Sequence, residues 1–181
     1  GERFLLYQGA VNEGRCFETL LPAMRSVDCP LLICGEGNYL EQAKSLVNRY
    51  ELQDKVRFMG NLPPDELRIL TARAYAGINL VENTGLSNYL SLANKFFDYI
   101  HAGIPQLCSG FPAYRSVNET YEVAYLITET DPENIAVALN KLLNDGLLYE
   151  RLSENCTPAR EQFNWQKEEK SLLAFYQHIL E

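Results

Sequence analysis

Residues 94–105 read Asn94-Lys95-Phe96-Phe97-Asp98-Tyr99-Ile100-His101-Ala102-Gly103-Ile104-Pro105. Phe97 and Ile100, with Phe96, face a core at helical spacing; Gly103 ends the helix and Pro105 opens a buried strand. Asn94, Lys95 and Asp98 then fall in the first turn and just beyond it. A helix start presents unpaired N–H groups and a partial positive charge, to which Lys95 adds a full one. Such a spot suits an anion such as a phosphate. Asp98, three residues after Lys95, lies on nearly the same face, where a carboxylate can accept hydrogen bonds from ribose hydroxyls. A solvated Lys95–Asp98 helix pair, worth about 0.2–0.5 kcal/mol, explains the same spacing equally well. The preceding residues 82–93 keep no clean period and hold Asn83, Gly85, Ser87, Asn88 and Ser91, so they read as a loop that meets a ligand.

The elements that must position this segment follow from the alternation of the chain. Short apolar strands are expected over residues 3–8, 30–34, 56–59, 76–81, 104–108 and 122–127. Helices are expected over 16–27 and 38–50, from Pro63-Pro64-Asp65-Glu66 onward, around 112–119, and over 131–143, 147–162 and 165–180. Strand alternating with helix six times demands a doubly wound parallel sheet with helices on both faces, a three-layer α/β/α domain. Ligands of such sheets bind beyond the carboxyl ends of the strands. Four junctions gather there: 9–15, 35–38, 60–61 and 82–95. The first offers Gly9, which permits close backbone approach, and Arg15, which makes bidentate contacts to phosphate oxygens. Gly35-Glu36-Gly37 is too short for a dinucleotide fingerprint, and Gly60-Asn61 could set backbone groups against a flat base edge. Each junction alone is equally a plain turn.

The chain has 181 residues, enough for one domain, 1–181, with a three-layer core. A net charge of −8 excludes a nucleic-acid surface but not a small anionic ligand, because a local patch overrides the global field. Five cysteines without a framework or zinc-ligand spacing argue for a reducing compartment. No apolar run reaches membrane-spanning length, no signal peptide is present, and the opening on Gly1 just before a strand reads as a piece of something longer. Nothing matches a Walker loop, a Ser-His-Asp set or a metal cluster. His101 is expected to contact Asp98 within its helix, His178 to be structural, and Phe163, Trp165, Phe175 and Tyr176 to pack the C-terminal helices.

Taken together, these segments resemble the C-terminal, nucleotide-sugar-binding domain of GT-B fold glycosyltransferases of group 1, the GT4-like retaining enzymes. The resemblance covers nearly all of the chain. It rests on Gly9 with Arg15-Cys16, on Cys34-Gly35-Glu36-Gly37, and on Asp54-Lys55-Val56-Arg57-Phe58-Met59-Gly60 continuing into Pro63-Pro64-Asp65-Glu66-Leu67. It continues through residues 94–105, Asp131-Pro132-Glu133, Leu142-Leu143-Asn144-Asp145 and Trp165. The chain departs from the family pattern at three places. Ala10 stands where an Arg usually follows the first-strand Gly, and Arg15 replaces the commoner Lys. The pair of glutamates seven residues apart is also lost: Leu90 occupies the first position counted back from Asp98, and Glu82 serves there only if the loop has lengthened. Losing one phosphate-binding cation weakens such a site by about 1.5–3 kcal/mol, which Lys95 can offset.

The resemblance implies one Rossmann-like half of a GT-B enzyme, with an N-terminal acceptor domain outside this sequence. It implies a metal-independent, retaining hexosyltransferase of glycan or polysaccharide synthesis that needs no cofactor beyond its nucleoside diphosphate sugar. Arg15 and Lys95 would contact the diphosphate and stabilise the leaving group, and Asp98 would bind the ribose. Gly60 and its neighbours would flank the base, and Gly9, Gly35, Glu82 and Asn94 would complete the donor site. The acceptor, a glycan or lipid-linked sugar, would meet the missing domain; this domain alone would be inactive, and the whole protein cytoplasmic or peripheral to a membrane. A nucleotide-sugar epimerase of the same architecture and a non-catalytic nucleotide-binding module are the alternatives.

Overall fold

The computed structural model describes residues 3–180. Six parallel strands, β1 (Leu5–Gln8), β2 (Leu31–Cys34), β3 (Val56–Gly60), β4 (Ala76–Asn79), β5 (Gln106–Ser109) and β6 (Ala124–Ile127), form one sheet in the order β3-β2-β1-β4-β5-β6. Nine helices accompany them among the described residues: α1 (Phe17–Ala23), α2 (Leu40–Arg49), α3 (Pro64–Arg73), α4 (Leu86–Tyr89), α5 (Asn94–Ala102), α6 (Pro112–Tyr121), α7 (Pro132–Asn144), α8 (Gly146–Gln162) and α9 (Trp165–Leu180). The expected doubly wound three-layer architecture is therefore the observed one.

Alternation along the strands sorts the core into layers. Leu5 and Tyr7 of β1 point with Ile33, Ala76 and Ile78 into the core under α1, α2 and α7. Leu6 points the other way, to Tyr99, Ala74 and Ile104 beneath α3 and α5. A third cluster joins Phe96 and Ile100 of α5 to Tyr114 of α6 and to Cys156 and Ala159 of α8. Helix α5 is thus wedged among α3, α6 and α8, with Phe96, Tyr99 and Ile100 buried at helical spacing and Gly103 closing it in the left-handed conformation.

Tyr99 locks that helix to the sheet. Its ring lies flat against Gly77 of β4, where a Cβ would run into the ring carbons. Its hydroxyl donates to the Leu6 carbonyl at 3.0 Å and accepts from the Gln8 N–H at 3.3 Å. Helix α5 is therefore tied to the two strands, β1 and β4, between which the strand order reverses. That crevice is where open α/β sheets bind ligands.

Two expectations need correction. The segment 82–93 is not loop throughout but contains the short helix α4, started after Gly85 and ended at Leu90. Trp165, Phe175 and Tyr176 do not pack the C-terminal helices: none of α9 is buried, with Trp165 63 % and Phe175 58 % exposed. Among the described residues nothing covers the apolar side chains of α9. Phe163 does pack as expected, its ring 5.4 Å from both Phe97 and Tyr121. Among the described residues no helix is long and apolar enough to cross a membrane.

Candidate functional site

The carboxyl edge of the sheet carries three glycines in a row. Gly9 donates its N–H to the Cys34 carbonyl at 2.9 Å, and Gly35 donates to the Gly60 carbonyl at 2.8 Å. Gly35 has a φ of 135°, and a Cβ there would collide with the carbonyl oxygen of Gly9, so the strand ends close up only with glycine. A cleft of about 270 Å³ opens over this row, lined by Gly9, Ala10, Gly35, Glu36, Asn61 and Leu62.

Next to the cleft stands the start of α5. Asn94 is its first residue and is exposed. Lys95 runs inward: its Nζ lies 3.6 Å from the centre of the Tyr7 ring, and its Cε and Nζ come within 3.4 Å of where a Gly9 Cβ would be. The Tyr7 face attracts the ammonium, and the Tyr7 hydroxyl donates to the Ala10 carbonyl at 2.7 Å, fixing the turn above it. Burial, and after it the charge of Arg15, pushes the Lys95 ammonium down to about 7, against the weaker pull of Cys108 and Asp98. Arg15 acts in the same way on Tyr7. The two cations predicted from different junctions therefore lie within electrostatic reach on one rim. Neither enters any of the four ion pairs found among the described residues.

Asp98 turns elsewhere. Its Oδ2 accepts from Gln8 Nε2 at 2.9 Å, and Gln8 Oε1 in turn accepts from the Thr71 hydroxyl at 2.7 Å. This chain lies at the head of a groove of about 610 Å³ between α3 and α5, floored by Leu67, Ala72 and Ala102. Burial raises the Asp98 carboxyl above its ordinary value, and the Gln8 hydrogen bond opposes the rise. The solvated Lys95–Asp98 pair is thereby ruled out, since each side chain has a partner on β1. The expected His101–Asp98 contact is also displaced: His101 Nε2 sits 2.7 Å from the Phe163 carbonyl, at the start of the passage to α9.

The segment 82–93 folds back over the first turn. Glu82 donates its N–H to the Gly14 carbonyl at 2.9 Å, while Asn88 and Thr84, bonded to each other at 2.7 Å, lie against Gly14. The charge of Glu82, after burial, helps push the Cys16 thiol up to about 12, so Glu82 faces α1 whereas Asp98 faces α3. Leu90 is 60 % exposed and brings no carboxylate. Among the described residues no group of three His, Cys, Asp or Glu is arranged to hold a metal ion.

The structure also supplies residues that sequence reasoning passed over: Tyr7, Gln8 and Thr71. One signal was present for Gln8, an amide ending the otherwise apolar run Leu5-Leu6-Tyr7. Nothing in the sequence marked Thr71, whose partner is 63 positions away.

A doubly wound parallel sheet with a glycine-lined cleft over the ends of β1, β2 and β3, and with an inward-turned lysine at a helix start beside the switch point between β1 and β4, defines an α/β domain of the Rossmann-like class. The chain belongs to the family described as glycosyl transferases group 1, which it matches over residues 1–157. A curated relative, phosphatidyl-myo-inositol mannosyltransferase of Mycobacterium leprae, is 26 % identical over 97 % of this chain and 46 % of its own length. Two solved structures share the fold. HepE of Anabaena, crystallised with UDP and glucose, gives a TM-score of 0.84 at 13 % identity, over 98 % of this chain and 49 % of its own. Sucrose-phosphate synthase of Thermosynechococcus elongatus gives 0.84 at 20 % identity, over 99 % and 46 %. This chain thus spans about half the length of the relatives it matches.

Proposed function

We propose that this chain is the donor-binding, C-terminal half of a glycosyltransferase that moves a hexose from a nucleoside diphosphate sugar to a hydroxyl acceptor. The observation that carries the reading is Lys95 turned inward at the start of α5, with Arg15 within electrostatic reach of its ammonium. Two like charges near each other, one of them partly stripped of water, destabilise the empty site, and a bound diphosphate relieves both costs at once. In the reaction the bond between the anomeric carbon and the diphosphate oxygen breaks, and the acceptor oxygen bonds to that carbon as its proton leaves. Negative charge builds on the departing diphosphate. Arg15, Lys95 and the N–H groups of α5 are preorganised to receive it, and we assign leaving-group stabilisation to them rather than to a metal ion.

In this reading Asn94 flanks the diphosphate at the helix start. Gly9, Gly35 and Gly60 let the nucleotide approach the backbone, with the base in the cleft toward Asn61. Asp98 binds the ribose and Glu82 the sugar side of the donor. The UDP carried by HepE and the half-length match to longer enzymes support the assignment. Retention of configuration follows the group 1 resemblance. The acceptor, a glycan or lipid-linked sugar, belongs to the N-terminal half, so this domain alone binds donor without transferring it. The whole enzyme is placed in the cytoplasm, at the membrane surface where its acceptor is lipid-linked. Membership of the group 1 family does not favour the epimerase or non-catalytic readings.

Calorimetry with UDP, GDP and ADP tests the proposal. At least one should bind, and Arg15→Ala and Lys95→Ala should each lose about 1.5–3 kcal/mol, one charged hydrogen bond, while Lys167→Ala on α9 should lose nothing. Binding of none of the three, or equal losses in all variants, would sink it.

A further inference from the structure

The amide of Gln8 is an unexpected tenant of the sheet. It ends a strand whose other residues are apolar, is 5 % exposed, and points with Leu6 to the α3 and α5 side. A buried amide is unfavourable unless it is fully engaged. Here one end meets the Asp98 carboxylate on α5 and the other the Thr71 hydroxyl on α3, while its backbone N–H reaches the Tyr99 hydroxyl. A carboxylate only accepts, so Gln8 must turn its Nε2 toward Asp98 and its Oε1 toward Thr71. In the flipped orientation Oε1 would face the carboxylate, two acceptors together; in the required one Thr71 donates its hydroxyl hydrogen to Oε1 and so anchors the far end of the amide. The Leu67 carbonyl, also 2.7 Å from the Thr71 hydroxyl, competes for that single hydrogen, so the arrangement is tunable from α3.

The result is a carboxylate with one committed oxygen. Oδ2 is held by Gln8, and Oδ1 has no hydrogen-bond partner among the described residues. An Asp side chain on an exposed helix face would otherwise turn freely. We propose that Gln8, oriented by Thr71, is a positioning residue that holds the Asp98 carboxylate for the ribose hydroxyls, making the site selective for ribonucleotides over deoxyribonucleotides. This inference rests on Asp98 being the ribose-binding group of the donor site.

The test compares UDP, GDP and ADP with their 2′-deoxy and 3′-deoxy counterparts in wild type, Asp98→Asn, Gln8→Met, Thr71→Val and Thr71→Ser. The readout is the ratio of the two dissociation constants for each base, which a general loss of stability leaves unchanged. Wild type should favour the ribonucleotide by about tenfold to a hundredfold, the range of a hydrogen bond to a charged group. Asp98→Asn and Gln8→Met should reduce that preference to within about threefold, Thr71→Val should reduce it partly, and Thr71→Ser should restore it. Gln8→Met and Thr71→Val free the carboxylate by independent routes, so failure of one to fold leaves the other. A ratio that collapses in Asp98→Asn but survives in Gln8→Met and Thr71→Val overturns the positioning role alone. Ribonucleotide binding without preference in wild type, unchanged by Asp98→Asn, overturns the ribose reading and this inference with it. Failure of every nucleotide to bind overturns the donor site itself.

Discussion

Donor binding should draw a proton from solvent, and Lys95 should be where it goes. In the free protein, burial and Arg15 hold the ammonium near 7, so at pH 7 about half the molecules carry it neutral. A diphosphate set against the helix start supplies opposite charge at close range and returns the group toward its ordinary value. The uptake is then the neutral fraction of the free state: about 0.1 proton at pH 6, about 0.5 at pH 7 and about 0.9 at pH 8. Linkage turns this into affinity, which should fall by nearly tenfold per unit above pH 8 and be almost flat below pH 6. Cys108 and Tyr7, which also act on or face Lys95, leave this window clear. Burial pushes the Cys108 thiol well above its ordinary range and Tyr7 likewise, and the raised Asp98 is opposed by its Gln8 bond. Titration calorimetry with UDP-glucose, ADP-glucose and GDP-mannose, repeated in buffers of different ionisation enthalpy, reads the uptake as a slope. These donors keep their diphosphates fully ionised over the range. Lys95→Arg cannot change its charge and should bind with no slope. A flat line at pH 8 in wild type, with binding intact, would refute the reasoning; so would an undiminished slope in Lys95→Arg.

The same burial predicts that Lys95→Met stabilises the ligand-free protein while weakening donor binding by about as much as Lys95→Ala. A lysine lowered on folding binds fewer protons native than unfolded, so its penalty is complete below about pH 7 and disappears toward pH 10.5. The urea-midpoint advantage of Lys95→Met should shrink across that window, and an advantage independent of pH would contradict it. Gly35→Ala should cost about 2–3 kcal/mol in urea unfolding, because both its positive φ and the Gly9 carbonyl oppose a side chain; a change under about 0.5 kcal/mol would show the rim to be compliant. Deleting residues 165–181 removes no buried residue of α9 and should leave the unfolding midpoint nearly unchanged. Phe163→Ala, which strips the ring from Phe97 and Tyr121, should lower it clearly.

Much of the molecule was legible in its residue order because the signals were local. Apolar runs such as Leu31-Leu32-Ile33-Cys34, Pro at the starts of α3, α6 and α7, and Gly103 at the end of α5 are features that short stretches of chain enforce on themselves. Their alternation sufficed for a parallel sheet, and the sheet in turn for placing Gly9, Lys95 and Gly60 at its carboxyl edge. The short turn of α4 was missed because four residues carry too little periodicity to register.

Side-chain partnership is a different matter, since it joins positions far apart along the chain. Lys95 and Asp98 look like neighbours on one helix, yet packing sends the first to Tyr7 and the second to Gln8. The choice depends on how α5 is rotated against β1, which the Tyr99 hydroxyl and the absent side chain of Gly77 decide. Helix α9 shows the same limit from the other side. Its aromatic and aliphatic residues are plain in the sequence. Only the assembled fold reveals that none of them is buried by the described residues, because burial depends on which surfaces the rest of the chain brings alongside.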